Sequence, residues 1–426
     1  MGKTDLPQII TIIIFIVSYI LIFSGRLERS VAALIGLFMM VSAGYAFDFM
    51  NFEEALLHVN WEVVILLFGM MTYVGLMEKT GFFRYIGIKA IKLSKGNPWL
   101  IFLYLSLITT FVSMVIDNVT TILLMIPLTV EIAEMLEINP VPVMLGEAVL
   151  SNIGGVGTMI GDPPNIMIGL ISGYTFNDFV VHLFPPVMMA LIVSTILAGV
   201  IYRRWRRVEA KNIDKLMKLD PSRYIRNKRK MKYYLYLLFA MIFFFASQSY
   251  TGISPSFVAL AGGVMALVIS TEGPKEAFKA VEWPTLVFFI ALFALVGGLD
   301  EVGLLSGLAN GIASISSNVL IISILILWVA GISSAFVDNI PITAAFIPVV
   351  SSLMVDYNSG LLWWALAMGV GLGGNITPIG SSAGVITMSL SKRYGHGITN
   401  REWLKFGTVT GIASMAVCTA FLLIMV

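Results

Sequence analysis

Two short polar sequences break long apolar runs and share one pattern. The first is Asp117-Asn118-Val119-Thr120-Thr121, followed by an apolar run that carries Pro127. The second is Asp338-Asn339-Ile340-Pro341-Ile342-Thr343, followed at the same interval by Pro348. Each is succeeded by a second break, Ser151-Asn152-Ile153-Gly154-Gly155-Val156-Gly157-Thr158 in one case and Gly374-Asn375-Ile376-Thr377-Pro378-Ile379-Gly380-Ser381-Ser382 in the other. A bare carboxylate is costly inside apolar surroundings, so Asp117 and Asp338 are suited to carrying a proton or ligating a cation. The amides of Asn118, Asn152, Asn339 and Asn375 both donate and accept. The glycines, Gly154, Gly155, Gly157, Gly374 and Gly380 among them, permit unwound backbone and close approach. Half-helix N-termini suit an anion or a hydroxylated solute, whereas half-helix C-termini and free carbonyls suit Na⁺.

Plainer readings stand beside these. One Asn or Asp at a helix end is most often a cap; the matched recurrence is what points to function. Gly161-Asp162-Pro163-Pro164-Asn165 is either a kink or, through Asp162, part of a proton relay, and its counterpart near Ser381-Ser382-Ala383-Gly384 is not acidic. Glu147, within a span, is either a relay or the partner of a neighbouring polar group. Glu131, Glu134 and Glu137 fall at helical spacing and read as a solvated face.

The elements that position these residues are membrane spans. Of 426 residues 58% are hydrophobic and only 12% charged, which excludes a soluble domain of this length. The single cysteine, Cys418, rules out an intrachain disulfide, and three histidines outside the breaks leave no metal cluster. The first apolar run, 8–24, has no cleavage pattern after it and is read as a retained span. Runs at 31–49 and 61–77 follow, then a basic amphipathic stretch at 80–95 of the interfacial kind. Arms at 98–116 and 119–136 meet at Asp117-Asn118, and a broken run (141–173) and a span (179–202) close the half. Residues 203–232, dense in Lys and Arg, form a linker, read as a cytoplasmic loop beside anionic lipid rather than a nucleic-acid site. Residues 233–426 repeat the order of 1–202: Trp61 matches Trp283, Gly75 Gly297, Asp117 Asp338 and Asn152 Asn375, at a nearly constant offset.

If each pair of arms is a re-entrant hairpin, each half has five spans and the halves are inverted. The expected fold is therefore an all-α polytopic membrane protein of two inverted repeats, each with about five transmembrane helices, a hairpin and a broken helix. With the linker inside, both termini lie outside, and nearly every Lys and Arg falls on the cytoplasmic side. A stretch at 303–316 without Lys or Arg falls outside.

The Asp-Asn turns, Ser151-Asn152-Ile153-Gly154-Gly155 with Gly161-Asp162-Pro163-Pro164-Asn165, and Gly373-Gly374-Asn375 resemble the ion transporter superfamily, in its branch of arsenical-pump membrane proteins and pink-eyed-dilution (P) proteins. The likeness runs over nearly the whole chain. It implies a homodimer of scaffold and transport domains, coupling to H⁺ or Na⁺ with no other cofactor, and, as in some arsenical pumps, a soluble ATPase partner. It also carries the Asp-Asn and Asn-Gly positions over as substrate and ion contacts. The dicarboxylate branch has Ser-Asn-Thr at its hairpin tips, so Asp-Asn counts against a dianion.

The expectation is a secondary active transporter in the cell membrane, not an enzyme, exporting arsenite, antimonite or a related small oxyacid. Its alternatives are a Na⁺/H⁺ exchanger, a dicarboxylate or anion carrier, and a channel or sensor without coupled flux. The residues expected at the site are Asp117, Asn118, Thr120, Thr121, Asn152, Gly154, Gly155, Gly157, Thr158, Asp338, Asn339, Thr343, Gly374, Asn375, Thr377, Gly380, Ser381 and Ser382, with Na⁺ at the hairpin tips as one form of coupling.

Overall fold

Backbone out of water must satisfy its own N–H and C=O groups, so the apolar runs fold as helices. The computed structural model describes residues 5–24, 27–270, 275, 278, 279, 281–305, 307, 311 and 315–425, and no strand occurs among them. Arg26 and much of the 303–316 stretch lie outside the described residues.

The first half contains α1 (Asp5–Ser24), α2 (Arg29–Phe47), α3 (Trp61–Glu78), α4 (Phe82–Leu93), α5 (Pro98–Ser113), α6 (Asn118–Met135), α7 (Val141–Val156), α8 (Pro163–Ser172) and α9 (Phe176–Ile201). The second contains α10 (Lys228–Ala246), α11 (Pro255–Ile269), α12 (Trp283–Glu301), α13 (Val319–Phe336), α14 (Asn339–Tyr357), α15 (Leu361–Gly373), α16 (Ser382–Arg393) and α17 (Asn400–Ile424). A π-helical turn, Leu404–Thr408, interrupts α17.

Packing repeats between the halves. Helix α2 lies on α12 and α3 on α11; α5 lies on α7 and α13 on α15; α6 meets α16 and α14 meets α8; α9 and α17 pack on each other. Each pairing has its mate, the signature of two inverted copies. The mates agree in detail. Gly154, at the end of α7, faces the Thr110 carbonyl of α5, and Gly373, at the end of α15, faces the Gly331 carbonyl of α13.

A Cβ at Gly373 would sit 2.1 Å from the Gly331 oxygen and 2.5 Å from its Cα. Both are backbone atoms in a buried helix and cannot rotate aside. Gly373→Ala should therefore destabilise the protein by about 3 kcal/mol. Gly397→Ala, whose added methyl meets only ordinary contacts at 3.5 Å or more, should leave thermal melting unchanged in the same assay.

The linker marks one face of the molecule. The Arg226 N–H donates to the Thr80 carbonyl and the Lys211 N–H to that of Leu136, each at 2.9 Å. Trp205 Nε1 reaches the Asn139 carbonyl at 3.0 Å. On the opposite face Gln8 Nε2 donates to the Val302 carbonyl at 2.8 Å, and His58 pairs with Glu301 at 2.9 Å. Among the described residues every Lys and Arg lies on the linker side, whereas Asp48, Glu53, Glu54, Glu62, Asp178, Glu301 and Asp356 lie on the other. The acidic row at the end of α6 is more than a solvated face. Glu131 pairs with Arg84 at 2.7 Å, Glu134 with His396 at 3.2 Å and Glu137 with Lys211 at 2.8 Å. The hydrogen bond and charge of Lys211 hold the Glu137 carboxyl below its usual range.

Among the described residues eight helices, α6, α13 and α14 among them, are long and apolar enough to cross a bilayer. The α5–α6 turn and the α13–α14 turn line one cavity, Asp117 and Asn118 from the first and Asn339 and Ile340 from the second.

Candidate functional site

Both hairpin turns are built by their aspartates. Asp117 caps α6 by accepting from the Thr120 N–H at 2.9 Å, and Asp338 caps α14 by accepting from the Ile340 N–H at 3.3 Å. Capping occupies Oδ1 in each case, so the other oxygen decides what more the residue does. Asp338 Oδ2 accepts from Arg29 Nη1 at 2.6 Å and from Ser382 Oγ at 2.6 Å. Arg29 Nη1 also reaches Ser382 Oγ at 3.1 Å. Asp338 is almost wholly buried, while about a third of the Arg29 side chain is exposed. Among the described residues no cation pairs with Asp117. The two tips match in position and differ in charge.

A chain of amides joins the halves. Asn118 Nδ2 donates to Asn152 Oδ1 at 3.2 Å; Asn152 Nδ2 donates to Asn375 Oδ1 at 2.8 Å and to Ser381 Oγ at 2.8 Å. Asn375 Nδ2 ends the chain on the Val149 carbonyl at 3.1 Å. Ser113 Oγ donates to Asn118 Oδ1. Gly155 is required here, since a Cβ would sit 2.7 Å from Asn118 Oδ1. At the other tip Asn339 Nδ2 donates to Asp162 Oδ2 at 2.9 Å. All four asparagines are buried.

The unwound segments have their own fastenings. Thr158 Oγ1 donates to the Met114 carbonyl and Thr377 Oγ1 to that of Ala335; these two stand 219 residues apart, so the structure pairs the second breaks four residues off the Asn152–Asn375 match, 223 apart, that the sequence suggests. Asn165 Nδ2 lies within reach of the Gly155, Val156 and Thr158 carbonyls, the shortest contact being 2.8 Å to Thr158. Gly157 and Gly374 end α7 and α15 as caps, and Gly380 packs 2.7 Å (as an added Cβ) from the Ser334 carbonyl. Trp403 Nε1 and Thr408 Oγ1 donate to the Asn375 and Ile376 carbonyls at 3.0 and 2.6 Å. The π turn of α17 thus serves the second break, as such turns often do at functional sites.

Between the tips lies a cavity of about 50 Å³, lined by Asp117, Asn118, Asn152, Asp162, Asn339, Ser381 and Ser382 together with Met71, Glu282 and Thr285. The remaining expected residues are elsewhere. Thr120 serves the Asp117 cap, Thr343 bonds back to the Asn339 carbonyl at 2.7 Å, and Thr121 is buried without a partner for its hydroxyl. Asp338 and Asn375 stand behind the lining. Glu147 is fully buried in α7, accepting from Thr129 Oγ1 at 2.7 Å with its second oxygen unpartnered, away from the cavity.

Arg29, Glu282 and Thr285 were not signalled by the motifs. Glu282 stands at the foot of α12, beside the Trp283 used to align the halves, and Thr285 Oγ1 donates to it at 3.2 Å. Arg29 opens an ordinary span, and only the fold brings it to Asp338. Among the described residues no three acidic, His or Cys side chains converge as a metal site. A cation in this cavity would meet the carboxylates of Asp117, Asp162 and Glu282, which do not converge as one ligand set, together with amide and hydroxyl oxygens.

The sequence profile described as "Citrate transporter" matches residues 19–371. An uncharacterized transporter of Mycobacterium tuberculosis is 36% identical, over 97% of this chain and 98% of its own. The human P protein is 29% identical over 95% of this chain and 58% of its own length. The crystal structure of the Alcanivorax borkumensis YdaH transporter shares the fold, with a TM-score of 0.58 over 84% of each chain at 14% identity.

Proposed function

The chain belongs to the citrate transporter family, and within that family we propose a secondary active exporter that exchanges H⁺ for a small neutral oxyacid of the arsenous or antimonous type. The central cavity carries this reading. Its lining offers Asp117, Asp162 and Glu282, amides and hydroxyls, but no cationic side chain. A tricarboxylate would meet like charge there and would not fit about 50 Å³. A neutral hydroxylated solute finds donors and acceptors in Asn118, Asn152, Asn339 and Ser381, while protons neutralise the carboxylates in turn. The same carboxylates favour Na⁺/H⁺ exchange as the second reading.

Flux in liposomes under an imposed pH gradient tests both. Gradient-driven movement of arsenite or antimonite supports the first, and Na⁺ movement indifferent to oxyacids supports the second. Citrate uptake with neither would overturn the proposal.

The reading includes residues 1–202 and 233–426 as the two repeats, a homodimer in the plasma membrane, and a soluble ATPase as an optional partner. It also places the 203–232 linker in the cytoplasm and both termini outside, supported by the segregation of Lys and Arg onto one face. Cysteines at 53 or 356 should then react with an impermeant reagent from outside, and cysteines at 218 or 275 only after permeabilisation. Cys418 is fully buried and should stay silent, so Cys418→Ala is a safe background. Labelling of position 218 in sealed cells would reverse the orientation.

A further inference from the structure

The linker face holds a second site that the transport reading leaves unused. A cavity of about 730 Å³, well within the size range of ligand pockets, opens between the start of α7 and the end of α9. Arg203, Arg204, Arg207 and Lys405 line it, against a single carboxylate, Glu402. That carboxylate is already engaged, accepting from the Thr399 N–H at 2.8 Å and the Thr399 hydroxyl at 2.7 Å in a capping box. None of the three guanidinium groups has a hydrogen bond or ion pair with a described residue. The Tyr202 hydroxyl, also in the lining, is buried and has no partner.

The neighbouring basic pocket differs. At about 400 Å³ it holds Lys79, Arg84, Arg223 and Arg226 with one carboxylate, Glu78, and there Arg84 pairs with Glu131 and lies over the Tyr224 ring. There one guanidinium is matched by a carboxylate and an aromatic ring, whereas around Tyr202 no arginine side chain has such a partner among the described residues.

We propose that this cavity binds the headgroup of an anionic phospholipid. Guanidinium groups pair with phosphate oxygens through forked N–H donors, and several converging on one pocket suit a phosphodiester. Val200, also in the lining, is 66% exposed and continues into the lipid-facing side of α9 with Ile196, so acyl chains have an apolar path from the headgroup. Trp205 and Tyr202 lie edge to face at 6.4 Å beside it, and Trp and Tyr are the residues that collect at bilayer interfaces. Basic pockets between spans on the cytoplasmic side are where anionic headgroups dock. A headgroup here would tie the start of α7, the helix that carries Asn152, to α9 and α17.

The test is thermal melting of delipidated full-length protein titrated with phosphatidylglycerol, phosphatidylcholine or inorganic phosphate. Phosphatidylglycerol should raise the melting temperature more than phosphatidylcholine, in a salt-sensitive way. The Arg203→Gln/Arg204→Gln/Arg207→Gln variant should weaken the apparent affinity about 100-fold, at roughly fivefold per lost charge. All three side chains are exposed, so the variant folds. The control Lys215→Gln/Lys218→Gln/Arg229→Gln, which removes equal charge from the linker outside the cavity, should keep the wild-type response. Equal responses to the two lipids, equal losses in the two triple variants, or full reproduction of the shift by inorganic phosphate alone would each overturn the lipid assignment.

Discussion

Arg29→Gln abolishes transport and lowers stability by about 3 kcal/mol, while adding Asp338→Asn to it returns most of the stability. Removing one partner of a buried pair costs about 3–5 kcal/mol because the other charge is left uncompensated, and partial exposure of Arg29 puts this pair at the lower end. The double variant leaves an amide where the carboxylate was, able to keep the cap on Ile340 and a bond to Ser382 without an unpaired charge. The coupling is read from a double-mutant cycle of thermal or denaturant melts. If Arg29→Gln melts like wild type, the contact at 2.6 Å contributes nothing and the two hairpins are equivalent.

The second large effect falls on Asn152. It accepts from Asn118 and donates to both Asn375 and Ser381, so Asn152→Ala strands polar groups on both hairpin-bearing halves at once. Unpartnered buried groups cost about 1–3 kcal/mol each, and water entering the new space relieves part of that. A net loss of about 2–3 kcal/mol is expected, with transport lowered roughly a hundredfold if the network also orients substrate. Asn375→Ala should do less, because it breaks one link to Asn152 and one to a backbone carbonyl. Equal stability losses in both variants with transport retained in the surviving protein would make the amides purely structural.

Much of this was legible in the chain. The repeat of Asp-Asn turns and Asn-Gly breaks implied inverted halves because only a matched fold keeps polar residues at matched intervals inside apolar sequence. The paired fastenings of Thr158 and Thr377 are that repeat made physical. Sequence could not reveal Arg29, whose role depends on α2 starting beside the tip of a hairpin more than three hundred residues away in the chain (|i−j| = 309). It could not separate Asp338 from Asp117 either, since capping uses one oxygen in both and the difference lies in the other. Glu282 was hidden for a similar reason: it looks like an ordinary acidic residue at a helix start until the fold turns it toward Asp117.

For the proposed exchanger, the small central cavity also sets the kinetic character. About 50 Å³ admits a few water molecules at most, so anything that crosses must leave its hydration shell and be re-solvated by Asn and Ser groups. Its walls belong to both halves, so in the exchange proposed above its contents pass to each side as the halves part, once on each side per cycle. Throughput is then set by how often the halves part, not by diffusion along a pore. Flux should saturate with substrate and rise steeply with temperature, and a bilayer recording should show no unitary conductance steps.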